Sequence, residues 1–433
     1  MRLRIRLVLP LLMFFDVRGQ PLDPNEVLER ARASLQAMTR RLPNYACIET
    51  VERTYFQPPP RAGASCPLIL AAHHARTEPL KLEGSDRLRL EVTVSEGHEI
   101  HAWPGATRFD TRDVDQIIRQ GPIGTGTFGS HLTGIFDNPA VEFQYAGEKA
   151  DGNLPVVEYR YHISTESSRY RVKTGSRWQT IPYDGTFWID PESLGLRRLT
   201  VESGELPAAS SMCHLEAALD YQIVHIGDGD VLLPREGKLQ IVMSNAQETT
   251  NLTTFSDCRE YMTESALHFE DSDAAGAAAK PMVRAPVALP IGLPVYLALS
   301  TAIDTSRAAA GDPVAAKVTR PVKRTGTGEV LIPAGSEVLG RLTRLERHLL
   351  PRPYFLISLS FNRLVRGDVS SPFAARYDVN AELAKELGAE IRASGRGLEF
   401  WDVGTFLFPS AKPTLVLPEG FESKWETLAT PSR

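Results

Sequence analysis

Between Tyr45 and Phe269 apolar residues recur at every second position over long stretches, and that rhythm confines the segment to antiparallel sheet. Leu88, Leu90, Val92 and Val94 alternate with Arg87, Arg89, Glu91 and Thr93, while Val157, Tyr159, Tyr161 and Ile163 alternate with Glu158, Arg160 and His162. Successive side chains of a strand point to opposite faces, so each run buries one face and wets the other. Asp151-Gly152, Asp184-Gly185 and Asp228-Gly229 are turn pairs suited to tight hairpins between such strands.

Within residues 20–270 helices are expected in two places. Asp23 can cap a helix that begins with Pro24, Glu26 gives the capping-box spacing, and Leu28, Ala31, Leu35, Met38 and Leu42 then form one apolar face before Pro43 ends it. Between Asp110 and Phe136 the strand rhythm stops. Val114, Ile117 and Ile118 suggest one short helix, and Leu132, Ile135 and Phe136 another.

Residues 271–288, rich in Ala and Pro and without aromatics, read as a linker between residues 20–270 and a smaller β-patterned domain, 289–433. In the latter, Phe355, Ile357, Leu359 and Phe361 alternate with Leu356, Ser358, Ser360 and Asn362, and a helix is expected from Ala381 to Leu387. LPIG at Leu289, IPAG at Ile332 and LPEG at Leu417 each place Gly two residues after Pro. Pro at the second turn position with a left-handed Gly after it reads these as three β-turns in a small barrel.

At the N-terminus, Arg2, Arg4 and Arg6 precede the apolar run Leu7–Phe15, with Val17 and Gly19 at a cleavage position. This reads as a signal peptide, residues 1–19, whose apolar run is too short to cross a bilayer. The compartment is then periplasmic or extracellular. Removing four Arg and one Asp with it moves the formal charge from -5 to -8. An acidic chain without a long basic run excludes a nucleic-acid partner.

In such a compartment Cys47, Cys66, Cys213 and Cys258 are expected to form two disulfides. Three connectivities are open. The spacings match no zinc pattern, and no C-x-x-C is present.

GTGTFG, with Gly124, Gly126 and Gly129, has the letters of a dinucleotide-binding loop. That loop needs a strand before it and a long helix after it, whereas here a helical segment precedes and a short one follows. No cofactor is expected. The glycines read as a connection between helices, with Ser130 helping to cap the second. If those helices cover an open sheet, Gly124, Gly126 and Gly129 are hinges of a lid whose apolar face is Leu132, Ile135 and Phe136.

HEIH at 98–101 is one residue short of the zinc-protease motif, and in a strand His98 and His101 point to opposite sides. It reads as a pair of surface histidines, and adjacent His73-His74 is equally poor as a chelate from one strand. No metal site and no catalytic residues are assigned. Asn251-Leu252-Thr253 fits a glycosylation sequon.

GTFWID at 185–190 with LRRL at 196–199 resembles the strand–turn–strand of outer-membrane lipoprotein-carrier-like proteins. LPNYACIETVER, GTGTFGSHLTGIF and TTFSDCREY extend the resemblance to secreted bacterial proteins of that type over residues 20–270. It implies a mainly β, α+β architecture, an antiparallel half-barrel wrapped over helices, whose concave face holds a lipid or other hydrophobic ligand. AAAGDPVAAKV followed by VLIPAGSEVLGRL is similar to the β-domain of conjugative-transfer channel scaffold proteins. That likeness implies a small C-terminal β-barrel or sandwich that docks to an envelope partner. The expectation is an exported, non-enzymatic envelope protein. The alternatives are an interaction or structural protein with a filled half-barrel and no small ligand, and a hydrolase of envelope or extracellular polymers. An open apolar cleft distinguishes the first from the second, and a buried carboxylate pair of perturbed titration would favour the third.

Overall fold

The computed structural model describes residues 23–42, 45–60, 63–96, 98–106, 109, 114–118, 121–174, 177–226, 229–260, 289–367, 369–377 and 404–429. The expected signal peptide, the linker at 271–288 and the helix at 381–387 lie outside them.

The helix expected after Asp23 is α1 (Pro24–Thr39). The Asp23 carboxylate accepts from the Asn25 amide at 3.0 Å, satisfying one of the donors that a helix start leaves open. Its buried stripe is Val27, Ala31 and Leu35. The chain continues through β1 (Tyr45–Phe56), α2 (Cys66–Ala75), β2 (Leu82–Ser95), β3 (His98–Ala102), α3 (Val114–Ile117) and α4 (Ser130–Phe136). Then come β4 (Glu142–Asp151), β5 (Leu154–Ile163), the hairpin β6 (Arg171–Thr174) and β7 (Arg177–Thr180), β8 (Tyr183–Ile189), β9 (Leu196–Ser203), β10 (Met212–Ile226), β11 (Gly229–Met243) and β12 (Glu248–Glu260).

Apart from the β6–β7 hairpin, these strands form one antiparallel sheet in the order β4-β5-β8-β9-β10-β11-β12-β1-β2-β3, which does not close into a barrel. The alternation read from the sequence faces the expected way. Leu88, Leu90, Val92 and Val94 are buried, as are Val157, Tyr159, Tyr161 and Ile163. The inner face of this half-barrel packs on α1 and α4, where Leu35, Leu132, Ile135, Phe136 and Phe187 share one core.

Two local expectations need correction. The stretch from Tyr45 is not all β, because CPLILAAHHA forms α2 with Pro67 in its first turn. Its apolar residues run consecutively and so show neither period. Asp184-Gly185 is not a hairpin turn but lies inside β8. Gly185 is required there by close approach, since a Cβ would stand 2.0 Å from the Thr200 carbonyl oxygen and 2.4 Å from the Tyr161 hydroxyl.

The C-terminal strands are β13 (Pro294–Leu299), β14 (Ile303–Asp304), β15 (Pro313–Val318), β16 (Val322–Lys323), β17 (Val330–Ile332), β18 (Glu337–His348), β19 (Tyr354–Arg366), β20 (Val369–Pro372), β21 (Ala375–Tyr377), β22 (Thr405–Pro409), β23 (Val416–Leu417) and β24 (Glu422–Thr427). The pairings run β19-β18-β15-β13-β24-β21, and β20 pairs back onto β19, so the bent segment 369–377 brings them round on themselves. They enclose a second core around fully buried Trp425, against which Phe361 packs edge-on at 5.2 Å.

The three Pro-x-Gly stretches are turns with one shared design. Gly292, Gly335 and Gly420 have φ of 84°, 84° and 79°, and each donates its amide to a carbonyl of a neighbouring segment: Thr427, Val318 and Leu299. In two of them Pro holds the first turn position and not the second, because the Ser336 and Phe421 amides donate to the Pro333 and Pro418 carbonyls.

The two cores meet along the outer edge of β2. Its residues 84–86 pair with β18 (Gly84 with His348, Asp86 with Glu346), and its last five residues pair with β3. Between them the Ala310 amide donates to the Arg87 carbonyl at 2.8 Å, and the Arg89 amide donates to the Ala310 carbonyl at 2.7 Å. The Arg89 guanidinium pairs with Asp312. Asp312 and Ala310 belong to the AAAGDP stretch that carries the C-terminal resemblance, so that stretch is the part applied to the half-barrel.

Candidate functional site

Where β1, β2 and β18 lie side by side, charged groups occupy positions that the strand period reserves for apolar ones. Arg53 stands opposite Asp86, and Asp86 stands opposite Glu346. Arg53 Nε donates to Asp86 Oδ1 at 2.7 Å and Nη2 to Oδ2 at 2.8 Å, and the two side chains are 3% and 8% exposed. Tyr55 adds its hydroxyl to Asp86 Oδ2 at 2.9 Å. Burial pushes the Tyr55 phenol well above its ordinary value, and the Asp86 charge adds to the effect.

Like charges directly opposite across a strand pair are unfavourable, so Glu346 has its own cations. Arg344 Nε donates to Oε1 at 2.7 Å, and His348 Nε2 lies 2.8 Å from Oε2. Burial alone would raise the Glu346 carboxyl; the His348 hydrogen bond and the Arg344 charge outweigh it and hold the group at about 2. His348 in turn stacks on Tyr354 with ring centres 4.6 Å apart. These groups wall a cleft of about 210 Å³ at the junction of the two cores, with Tyr55, Gly84, Asp86, Gly121, Glu346 and His348 in its lining.

Asp86 and Glu346 are a buried carboxylate pair, but both oxygens of each already face a bonded donor. The arrangement is a charge-compensated clasp between strands. It leaves neither carboxylate aimed at a reacting atom, as an acid/base pair requires.

The second constellation explains the glycine run. On β3, Val94 pairs with Glu99 and Val92 with His101, so Glu99 and His101 share the inward face. Glu99 accepts the Gly126 amide at 2.6 Å through Oε2 and the Gly129 amide at 2.8 Å through Oε1. The Ser130 amide lies 3.4 Å from Oε1, so the start of α4 is capped by Glu99 and not by the Ser130 side chain. Gly126 sits at φ 109°, and a Cβ there would stand 2.5 Å from the His131 ring. The loop therefore has the anion-cradling form its letters suggest, with the anion supplied by the protein. Burial lifts the Glu99 carboxyl above its ordinary range, opposed by His101 and by the two amides.

HEIH is accordingly not a pair of surface histidines, because His101 is 2% exposed. Its Nε2 lies 3.2 Å from Glu49. Burial disfavours the cation, but Glu49 and Glu99 outweigh burial and lift the imidazole above its ordinary value. His73 and His74 lie on α2, not on a strand, and His73 bonds Glu248, which also pairs with Arg76. Among the described residues no cluster of three or more His, Cys, Asp or Glu is arranged to hold a metal.

Leu132, Ile135 and Phe136 are fully buried on α4, and Gly124, Gly126 and Gly129 lie in the stretch leading to it. Cys47 pairs with Cys258 and Cys66 with Cys213, closing 211 and 147 residues of separation. Asn251 lies within β12, 2% exposed, and its amide donates to the Pro122 carbonyl at 3.1 Å, so the apparent sequon is not an exposed acceptor.

Arg53, Asp86, Glu99 and Glu346 were not singled out from sequence. The signal existed for Asp86, which has the same parity as Leu88, Leu90, Val92 and Val94, a charge on an otherwise apolar face.

An open antiparallel half-barrel over two helices, joined edge-on to a small β-unit, is the class of fold these elements define. The chain is similar to several solved structures that share parts of it. A LolA-superfamily protein from Nitrosomonas europaea is 9% identical, covering 53% of this chain and 94% of its own, with a TM-score of 0.27. An outer-membrane lipoprotein-sorting protein domain from Vibrio parahaemolyticus is 12% identical, covering 57% and 94%, also at 0.27. ComB10 of the Com type IV secretion system of Helicobacter pylori is 14% identical, covering 32% of this chain and 86% of its own, with a TM-score of 0.19. No family model matches the sequence, and no curated protein matches it.

Proposed function

We propose that this is a non-enzymatic, exported protein of the cell envelope that acts as a rigid scaffold, its half-barrel filled by its own side chains. One observation carries the reading: the concave face is occupied by α1 and α4, with Leu35, Phe128, Leu132, Ile135, Phe136 and Phe187 all at 0–1% exposure. Close-packed interiors leave no room for an acyl chain without moving an element. The β2–β18 pairing and the Arg89–Asp312 ion pair fix the C-terminal β-unit to this body, and residues 289–433 offer the surface for an envelope partner. Two disulfides suit an oxidising compartment, periplasmic or extracellular.

A second reading rests on the chemistry of the fill. Displacing α4 would bare Phe143, Phe187 and Tyr159, an apolar trough suited to a lipid, with Gly124, Gly126 and Gly129 as the hinges of that lid. Native mass spectrometry of protein secreted into the periplasm separates the two. The scaffold reading expects the mass of the bare chain and no thermal shift with fatty acids. A stoichiometric co-purified lipid overturns it in favour of the carrier.

A further inference from the structure

The two disulfides are not equally open to a thiol. Cys47 is 1% exposed in the core that holds Tyr45, Val92 and Val94, and Cys258 packs against that core. A nucleophile must either enter the core to reach Cys47 or strike Cys258 and expel the Cys47 thiolate into apolar surroundings, where burial disfavours the charge. Cys66 and Cys213 are both half-buried, so neither obstacle applies to them. Cys66 is also the first residue of α2, a helix start with no side-chain cap. Open first-turn amides stabilise a thiolate there, and the thiol of lower pKa leaves faster in disulfide exchange.

The helix itself is fastened unevenly. Of the ten residues of α2 only Ile69 is buried, against Val242 and Ala246. Near its end His73 lies 3.0 Å from Glu248, and Arg76 just beyond it pairs with the same carboxylate. Its start is held by the disulfide. The helix is hinged at one end and latched at the other.

We propose that Cys66–Cys213 is a redox-operated latch, opened by a dithiol reductant, which frees the start of α2 and uncovers Val242 and Ala246 while Cys47–Cys258 stays closed. One thiolate of the reductant attacks the Cys213 Sγ, the S–S bond breaks, and Cys66 leaves with the electron pair and takes a proton from water. The second thiolate attacks the reductant's own sulfur in the mixed disulfide and releases Cys213, which is protonated in turn. The protein gains two electrons and two protons, and the reductant ends as a disulfide. A dithiol partner in the cell rests on the exported reading above; reduction of the purified chain does not, so either can fail alone.

The test is reduction of the folded full chain by dithiothreitol, quenched at intervals with iodoacetamide and read by peptide mass spectrometry. Cys66 and Cys213 are expected to be alkylated together, about tenfold faster than Cys47 and Cys258. In that half-reduced protein amide exchange over 66–75 should rise about tenfold and fall again on reoxidation, with 45–56 unchanged. A single-thiol reagent, glutathione, should be trapped on Cys213. Loss of both disulfides at one rate, exchange in α2 unmoved by selective reduction, or glutathione trapped on Cys66 would each overturn the proposal.

Discussion

The Gly126 amide donates to the Glu99 carboxylate at 2.6 Å, so a loop with the spelling of a phosphate cradle is occupied by a side chain of the preceding strand, β3. Removing that carboxylate leaves the Gly126 and Gly129 amides without acceptors. Glu99→Ala should cost about 3 kcal/mol in denaturant unfolding. Amide exchange at 124–130 is the sharper measurement. The clamp predicts protection in the parent comparable to the flanking strands, and hinge motion predicts faster exchange; Glu99→Ala should convert the first pattern into the second.

His131 packs beside Gly126 and edge-on to Tyr170, and burial pulls its imidazole down to about 4. The unfolded chain takes up that proton near pH 6.5. The folded protein resists it until about pH 4. The unfolded state therefore binds more protons between those values, and stability due to His131 is complete above pH 6.5 and declines as pH falls toward 4. Its full extent is about 3 kcal/mol. Unfolding measured from pH 4 to 7 should show this slope, and His131→Leu should flatten it.

The junction clasp makes an asymmetric prediction. Asp86→Ala strands a buried Arg53 and should cost about 3–5 kcal/mol, whereas Arg53→Met combined with Asp86→Leu should recover most of the loss. Thermal melts of the two variants decide it. A double variant as unstable as the single one would show that the charges themselves hold the strands together.

Cys66–Cys213 fastens α2 to β10. Replacing both cysteines by Ala should cost about 2–5 kcal/mol, and limited proteolysis should then cut first between residues 57 and 81. Equal protease resistance would mean that Ile69, packed with Val242 and Ala246, and the bonds of His73 and Arg76 to Glu248 hold α2 without the disulfide.

Much of the fold was legible because strands advertise themselves. Leu88–Val94 and Val157–Ile163 each present one apolar face, and the period alone assigns which side is buried. α2 was hidden because Leu68, Ile69 and Leu70 run together and satisfy no period. The clasp was half legible: Asp86 breaks an apolar face visibly and Arg344 and His348 stand two residues either side of Glu346, but the cation that answers Asp86 is Arg53, and a pairing across 33 residues leaves no trace in spacing. Glu99 was hidden within HEIH, where the histidines draw attention and the strand turns the glutamate inward beside His101. The three Pro-x-Gly turns were readable from backbone chemistry, since a left-handed residue after a fixed-φ residue is a local requirement. Which carbonyl each glycine amide meets is a property of the folded unit.

The Cys47–Cys258 bond joins the third residue of β1 to the third from last of β12. Tension entering the half-barrel through residues on either side of that bond would pass across one covalent link and bypass the 211 residues between. A partner pulling on residues 289–433 would thus strain the β2–β18 ladder and the Ala310 and Asp312 bonds beside it before it could peel the half-barrel open, making that junction the mechanical fuse of the molecule.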